Sequence, residues 1–376
     1  MSIKTRIYIV GDCSGTFRAR ALIDYLASSR KYGFFYHDRR FLTPKFNKGF
    51  YSFFFKCLRI MDAGVKFPYL LFSDIIFILP MAKLHPFERW IIKLFNKYTI
   101  GEFYISMYDT YVNDRKTIDI KSSRAKKLLV SDQAFIDSCD QVIFLNASER
   151  DYYLREISRE KSSHKTIIIP LATDRKSKVT ARYGNSQAES ITLCWWGSFI
   201  PLHGLDNIIQ AAKVLRDKGF NFKLYLFGTS EEKSKPFRKK IKELELESFV
   251  GISNDKTFSD RSLDDFLIES CDIAFGNFGK SKKAKTVMVN KVVEAASLGL
   301  PVISQKTLAL NEYFKNDESI CFSESEPEKI AQRVLDLADD RALMLSIGDR
   351  AYNLYEQRFS KEAYKRDIIS ILKKFD

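Results

Sequence analysis

The chain is poor in metal-binding and redox residues, with six cysteines and four histidines in 376 residues. The cysteines form no Cys-x-x-Cys pair and the histidines at 37, 85, 164 and 203 have no ligand spacing, so neither a zinc site nor a disulfide framework is expected. No Asp-x-Asp pair and no Gly-x-Gly-x-x-Gly occurs anywhere. The longest apolar run, residues 68–82, is interrupted by Asp74 and bracketed by prolines, short of the ~20 residues that a spanning helix needs. The N-terminal Met-Ser-Ile-Lys-Thr-Arg-Ile lacks the apolar stretch of a signal peptide. A cytoplasmic setting with reduced thiols is expected.

What is present is apolar and unevenly charged. Hydrophobic residues make up 45% of the chain, with 31 Phe and 18 Tyr, which excludes a disordered chain. At ~100–200 residues per domain the length predicts two domains. The net charge of +14 is concentrated: residues 1–130 hold 23 basic against 10 acidic side chains, residues 131–190 nine of each, and residues 191–376 29 against 28. So localised a surplus implies a phosphate-bearing partner at the N-terminal part, whether a membrane surface, a lipid pyrophosphate or nucleic acid.

Short β-branched runs separated by helix-length segments predict parallel sheets covered on both faces. Residues 6–10 read as a strand ending in Gly11-Asp12-Cys13-Ser14-Gly15, with a helix over 18–28. Further strands are predicted at 75–79, 102–107, 141–145 and 166–169. The sequence then turns polar, and residues 173–190 read as a linker. A second series follows: strands 191–196, 222–227, 273–275 and 301–304, with helices 205–217, 235–244, 263–270 and 290–298. The predicted organisation is an N-terminal domain over 1–172, the linker, a C-terminal domain over 191–358, and a final helix within 359–376 that crosses back to the N-terminal domain.

Two loops carry candidate chemistry. Trp196-Gly197-Ser198-Phe199-Ile200-Pro201-Leu202-His203-Gly204 stops a strand at one glycine and opens a helix after another, a turn that lets backbone N–H groups and a helix N-terminus face an anion. A plain strand-to-helix loop explains that turn equally well. The segment 272–303 opens a strand into a glycine and lysine loop holding Lys282, Lys283 and Lys285, then a helix with Asn290, Lys291 and Glu294, then Gly299-Leu300-Pro301. Lysines there suit a diphosphate and the helix-borne carboxylate suits ribose hydroxyls. Gly228, at the end of a strand between them, joins the candidate donor-binding set.

Together these segments resemble glycosyltransferase family 4, the retaining branch of the GT-B fold, over about residues 191–359, with a divergent bacterial-type pattern. Gly197 to Gly204 stands where that family has its glycine-initiated loop, and Glu294-Ala-Ala-Ser-Leu-Gly-Leu-Pro-Val-Ile where it has the second of two glutamates. Three positions depart: Ser198 replaces an arginine, His203 a lysine, and Thr286 the first glutamate, so diphosphate neutralisation is expected from Lys282, Lys283, Lys285 and Lys291. The resemblance implies two Rossmann-like domains facing across a cleft, a nucleoside diphosphate sugar donor, a metal-independent mechanism and no cofactor. It also implies an acceptor loop at Gly11, Ser14, Gly15 and Arg18, and a catalytic polar residue after the 102–107 strand, where Asp109 stands. An Asx turn is the plainer role for Asp109.

Residues 34–55 hold ten aromatics interleaved with Arg39, Arg40, Lys45 and Lys48, and the pattern recurs at Phe87, Trp90, Lys93, Phe95 and Lys97. Rings with cationic neighbours suit an anionic membrane surface. The expected activity is therefore retaining sugar transfer to a lipid-linked saccharide acceptor, in surface polysaccharide or glycan synthesis, at the inner face of the membrane, with no nucleic acid partner. Two competitors stand beside it: a Rossmann oxidoreductase, which tight nicotinamide dinucleotide binding would reveal, and a non-enzymatic nucleic-acid or membrane-binding protein, which salt-dependent binding without transfer would reveal.

Overall fold

The computed structural model describes residues 5–13, 16–36, 50–82, 84, 86–157, 165–174 and 190–375. These fall into two compact units: Met1–Val112, Thr117–Pro170 and Lys361–Asp376 form one, and Asn113–Lys116 with Leu171–Ser360 the other. Ser14, Gly15, Arg39, Arg40, Lys45, Lys48 and most of the 173–190 segment lie outside the described residues.

The first unit is built on six parallel strands, β1 (Thr5–Val10), β2 (Tyr32–Tyr36), β3 (Ile75–Ile78), β4 (Tyr98–Glu102), β5 (Gln141–Phe144) and β6 (Thr166–Ile168), in the order β2-β1-β3-β4-β5-β6. β3 reads Ile-Ile-Phe-Ile and is buried along its whole length, as a central parallel strand covered on both faces requires. Its helices are α1 (Phe17–Ser28), α2 (Phe50–Phe72), α3 (Pro86–Leu94), α4 (Ser123–Asp137) and α5 (Ala147–Tyr152). Thr16 and Ser122 cap α1 and α4 by accepting from Ala19 N and Ala125 N.

The second unit repeats the plan with β7 (Ile191–Trp196), β8 (Phe222–Phe227), β9 (Val250–Ser253), β10 (Ile273–Phe275), β11 (Val302–Gln305) and β12 (Cys321–Ser323), all parallel, in the order β12-β11-β10-β7-β8-β9. Helices α6 (Leu205–Asp217), α7 (Glu231–Glu243), α8 (Ser262–Ser270), α9 (Lys282–Thr286), α10 (Asn290–Leu298), α11 (Leu308–Asn311), α12 (Pro327–Asp339) and α13 (Arg341–Arg358) cover it. In α12 the buried Ile330, Ala331, Val334 and Leu337 recur at helical spacing and pack with Ile208, Ala211, Ala212 and Leu215 of α6 in one core.

The last helix, α14 (Lys361–Leu372), belongs to the first unit and packs on α1, where Lys361 Nζ donates to Asp24 Oδ2 at 2.8 Å. Two α/β sheets with helices, each Rossmann-like, realise the fold class expected from the sequence.

The prediction of a strand at 102–107 is displaced: β4 ends at Glu102, and residues Asp109–Asp114 form a π-helical turn. The strand starts earlier, at Tyr98, and its polar Thr99 and Glu102 are buried against internal partners. Asp140 Oδ2 accepts from Thr99 N and Thr99 Oγ1, and Arg18 meets Glu102. The 34–36 aromatics belong to edge strand β2, and α2 fills a stretch with no helix prediction.

Candidate functional site

In each sheet the first strand lies between strands reached by crossovers of opposite direction, and in such sheets ligands sit beyond the carboxyl ends of the strands at that switch. In the second unit the switch lies between β7 and β10. Two loops leave it: Gly197 to Gly204 after β7, and residues 276–281 after β10. They are stitched together by Phe278 N donating to His203 O at 3.1 Å.

Gly197 ends β7 at φ +143°, a region that residues with a Cβ avoid, and its N–H donates to Phe227 O at 2.9 Å. A Cβ placed there would lie 3.4 Å from Lys291 Nζ and 3.6 Å from His203 Nε2. Gly204, at φ +61°, closes the 3-10 turn Pro201–His203 with its α-carbon so near the backbone of Phe278 that a Cβ would sit 2.3 Å from it. Both glycines therefore hold loop against loop.

Lys291 is the centre of this arrangement. It lies on the first turn of α10, whose cap Val289 contributes no side-chain hydrogen bond. Its ammonium is 4% exposed, sits 4.1 Å from the centroid of the Trp195 ring and has no hydrogen-bond partner. Burial pushes the Lys291 pKa well below the ordinary lysine value, only partly opposed by the charge of Glu294. Beside it, burial first and the Lys291 charge second push His203 down to about 2, so the imidazole is neutral, and its Nδ1 is also unpartnered. One turn along α10, Glu294 Oε2 accepts from Trp196 Nε1 at 2.7 Å, which fixes the carboxylate at the end of β7.

A buried, desolvated lysine beside a glycine backbone and a helix N-terminus has the chemistry to receive an anion. The structure thus brings together Gly197, His203, Lys291 and Glu294, and places Ser198 in the same loop. Lys282 and Lys285 are exposed on α9 and Asn290 is exposed at the start of α10, whereas Gly228 ends β8 against Phe199 and Asn254. Thr286 Oγ1 donates to Lys282 O within α9, as expected of a position that holds no carboxylate. Trp195 and Trp196 were not singled out by sequence reasoning. Their signal is a pair of tryptophans running directly into the loop glycine, in a chain with three tryptophans.

The first unit corrects one expectation. Arg18, expected in an acceptor loop, is 3% exposed and turned into the framework: it donates to Glu102 Oε1 at 2.6 Å, to Pro170 O at 2.6 Å and to Ile169 O at 2.9 Å, with its guanidinium 4.7 Å from the Tyr364 ring centroid. The chain uses arginine here because a planar, multi-donor cation can tie α1, β4, the end of the unit and α14 at one point. Gly11 ends β1 and is buried. Asp109 is 3% exposed, accepts from Tyr152 Oη at 2.8 Å and donates through its N–H to Ser106 Oγ at 2.9 Å. It opens a π-helical turn, a distortion frequent at functional sites.

Among the described residues no cluster of three metal-ligating side chains occurs, and no helix is long and apolar enough to cross a membrane.

Residues 181–354 match the family model described as Glycosyl transferases group 1. No curated protein matches. Among solved structures, the chain resembles sucrose-phosphate synthase from Thermosynechococcus elongatus at 13% identity, with 99% of each chain covered and a TM-score of 0.71. It resembles HepE of Anabaena, in complex with UDP and glucose, at 12% identity, covering 99% of this chain and 100% of that one at a TM-score of 0.66. A glycosyltransferase from Rickettsia africae gives 13% identity, 100% and 99% coverage and a TM-score of 0.61. The fold, the switch-point loops and this match agree on a glycosyltransferase of the GT-B fold, with residues 181–354 similar to glycosyl transferases group 1 over just under half of the chain.

Proposed function

We propose that the protein transfers a sugar, with retention and without a metal, from a nucleoside diphosphate sugar to a lipid-linked saccharide of a surface polysaccharide or glycan. The observation that carries this reading is Lys291, a buried ammonium with no partner, beside the glycine loop at the switch point of the second sheet. Lys291, the backbone of the loop after Gly197 and the α10 N-terminus hold the diphosphate, while the exposed Lys282 and Lys285 draw it in. Asn290 and Glu294 receive the ribose side, and Gly228 lets Phe199 and Asn254 pack close at the end of β8. As the bond from the sugar's anomeric carbon to the diphosphate oxygen breaks, negative charge grows on that oxygen, and Lys291 meets it without reorganising. The acceptor oxygen bonds to the anomeric carbon on the same face, and its proton passes to the leaving diphosphate. HepE is known with UDP and with UDP-glucose, which makes uridine nucleotides the first probes. A thermal-shift panel of nucleotide sugars tests the reading, since a bound donor raises the melting temperature with the logarithm of its saturation. No shift with any of them contradicts it.

Gly11, just after β1, belongs to the acceptor side, and Asp109 acts on the sugar or acceptor. Asp109→Asn keeps an oxygen for Tyr152 Oη, so turnover is expected to fall while the melting temperature stays within about 2 °C of wild type. A lower melting temperature with normal turnover returns Asp109 to a framework role.

The enzyme works peripherally at an anionic membrane surface facing the cytoplasm. α3 and the residue after it support this by exposing Phe87, Trp90, Leu94 and Phe95, with Phe87 and Trp90 stacked at 5.9 Å, alongside Lys93 and Lys97. Changing Phe87 and Trp90 together to Ser is expected to lower recovery with anionic vesicles several-fold, because two large rings lose burial worth on the order of 2 kcal/mol each. Equal recovery of variant and wild type contradicts the docking.

A further inference from the structure

A cavity of about 600 Å³ lies wholly within the first unit, between one face of α4 and the segments that follow β3 and β4. The α4 face is Ser123, Lys126, Lys127, Val130, Ala134 and Phe135, spaced three and four residues apart, and it runs down to Ser138. At ~1.5 Å per residue, that face is about 20 Å long. Opposite it stand Met81, Phe103 and Ile105, so the middle of the cavity is hydrocarbon. Val130 and Met81 are more than half exposed, leaving an apolar mouth on the surface.

The charged groups of the wall are Lys126 and Lys127 at one end, Arg89 from α3, and two carboxylates. The two carboxylates in the wall are engaged: Glu102 pairs with Arg18, and Asp132 Oδ2 accepts from Ser106 Oγ at 2.8 Å and from Tyr108 N at 3.0 Å. By contrast, Lys126 and Lys127 are exposed at the N-terminal end of the α4 face, and neither ammonium is held in an ion pair among the described residues. An apolar groove with two uncommitted cations at one end fits an amphiphile, one hydrocarbon chain lying along α4 and a phosphate head on the lysines.

We infer that this cavity binds the hydrocarbon chain of a phosphate-headed amphiphile, with Lys126 and Lys127 on the phosphate. The inference deepens the proposed function, since it rests on the first unit being the acceptor side and identifies which of its residues grip the carrier. It assigns a binding site made of first-unit residues alone.

The test is calorimetry on the full chain with dodecyl phosphate below its micelle concentration, inorganic phosphate and decanol, together with UDP on the same samples. Dodecyl phosphate is expected to bind saturably and roughly a hundred-fold more tightly than inorganic phosphate, the difference being the buried chain. Ala134→Trp, which fills the groove, is expected to weaken dodecyl phosphate about ten-fold or more. Changing Lys126 and Lys127 together to Gln is expected to remove about ten-fold from dodecyl phosphate and nothing from decanol. Both lysines are exposed, so this variant keeps the fold even where the tryptophan variant does not. Unsaturable binding of dodecyl phosphate, or equal affinity in the lysine variant, overturns the inference. A wild type that binds dodecyl phosphate but not UDP keeps this site and rejects the donor reading, and the converse rejects this site alone.

Discussion

Lys291→Met is expected to raise the melting temperature of the ligand-free protein and to weaken its affinity for nucleoside diphosphates by about two orders of magnitude. The ammonium is buried, has no hydrogen-bond partner and sits over the Trp195 ring. An unpaired buried polar group costs on the order of 2 kcal/mol, and methionine fills similar space without that cost. At ~2–4 °C per kcal/mol for a unit of this size, the gain is about 5 °C. The sign with pH follows from the lowered pKa of Lys291. Between the folded and unfolded pKa values the unfolded chain holds a proton that the folded chain lacks, so the stability of the wild type rises with pH in that window. The advantage of the methionine variant is therefore full below the folded pKa and shrinks as pH approaches ~10.4, the unperturbed lysine value. Loss of the charge-assisted contact to the diphosphate costs about 3 kcal/mol, or roughly 150-fold in affinity. Thermal melts across pH with UDP titrations check both halves. A less stable variant with normal affinity would place Lys291 in the core and the anion elsewhere.

Arg18→Ala is expected to be the most damaging single change in the first unit, by about 3–5 kcal/mol, because it strands a buried carboxylate. Glu102 is 2% exposed, and its Oε1 accepts from both Nε and Nη2 of Arg18 and from Tyr364 Oη at 3.3 Å. The same guanidinium holds two backbone carbonyls, at residues 169 and 170, which alanine leaves without that donor. Arg18→Met combined with Glu102→Met removes both charges and is expected to recover most of the loss. Urea unfolding of the three proteins measures this. If Arg18→Ala alone unfolds at the wild-type midpoint and only turnover falls, Arg18 serves the acceptor and the framework role is wrong.

The alternation of β-branched runs with helical segments made the α/β class legible, because parallel strands buried on both faces carry an unbroken apolar signature, as Ile75–Ile78 does. The grouping of the candidate site was legible in part: Gly197, Lys291 and Glu294, picked out at a strand end and a helix start, lie together in the structure. Spacing could not rank Lys291 above Lys282 or Lys285. The difference is burial, set by how α10 seats against Trp195, whereas α9 leaves the other two in solvent. The burial of Glu102 and Thr99 was not legible. A polar letter reads as surface until its partner is known, and Arg18 and Asp140 lie 84 and 41 residues away along the chain.

The central claim is that Lys291 receives the donor diphosphate. UDP-glucose has no group titrating near neutrality, so proton exchange on its binding reports the protein. Calorimetry of UDP-glucose binding in two buffers of different ionisation enthalpy, at several pH values, measures that exchange directly. The site predicts proton uptake that grows with pH toward one proton per bound donor and vanishes in Lys291→Met, because the diphosphate restores the charge that burial suppresses. Binding with no proton uptake at any pH, at the same affinity in both proteins, would contradict it.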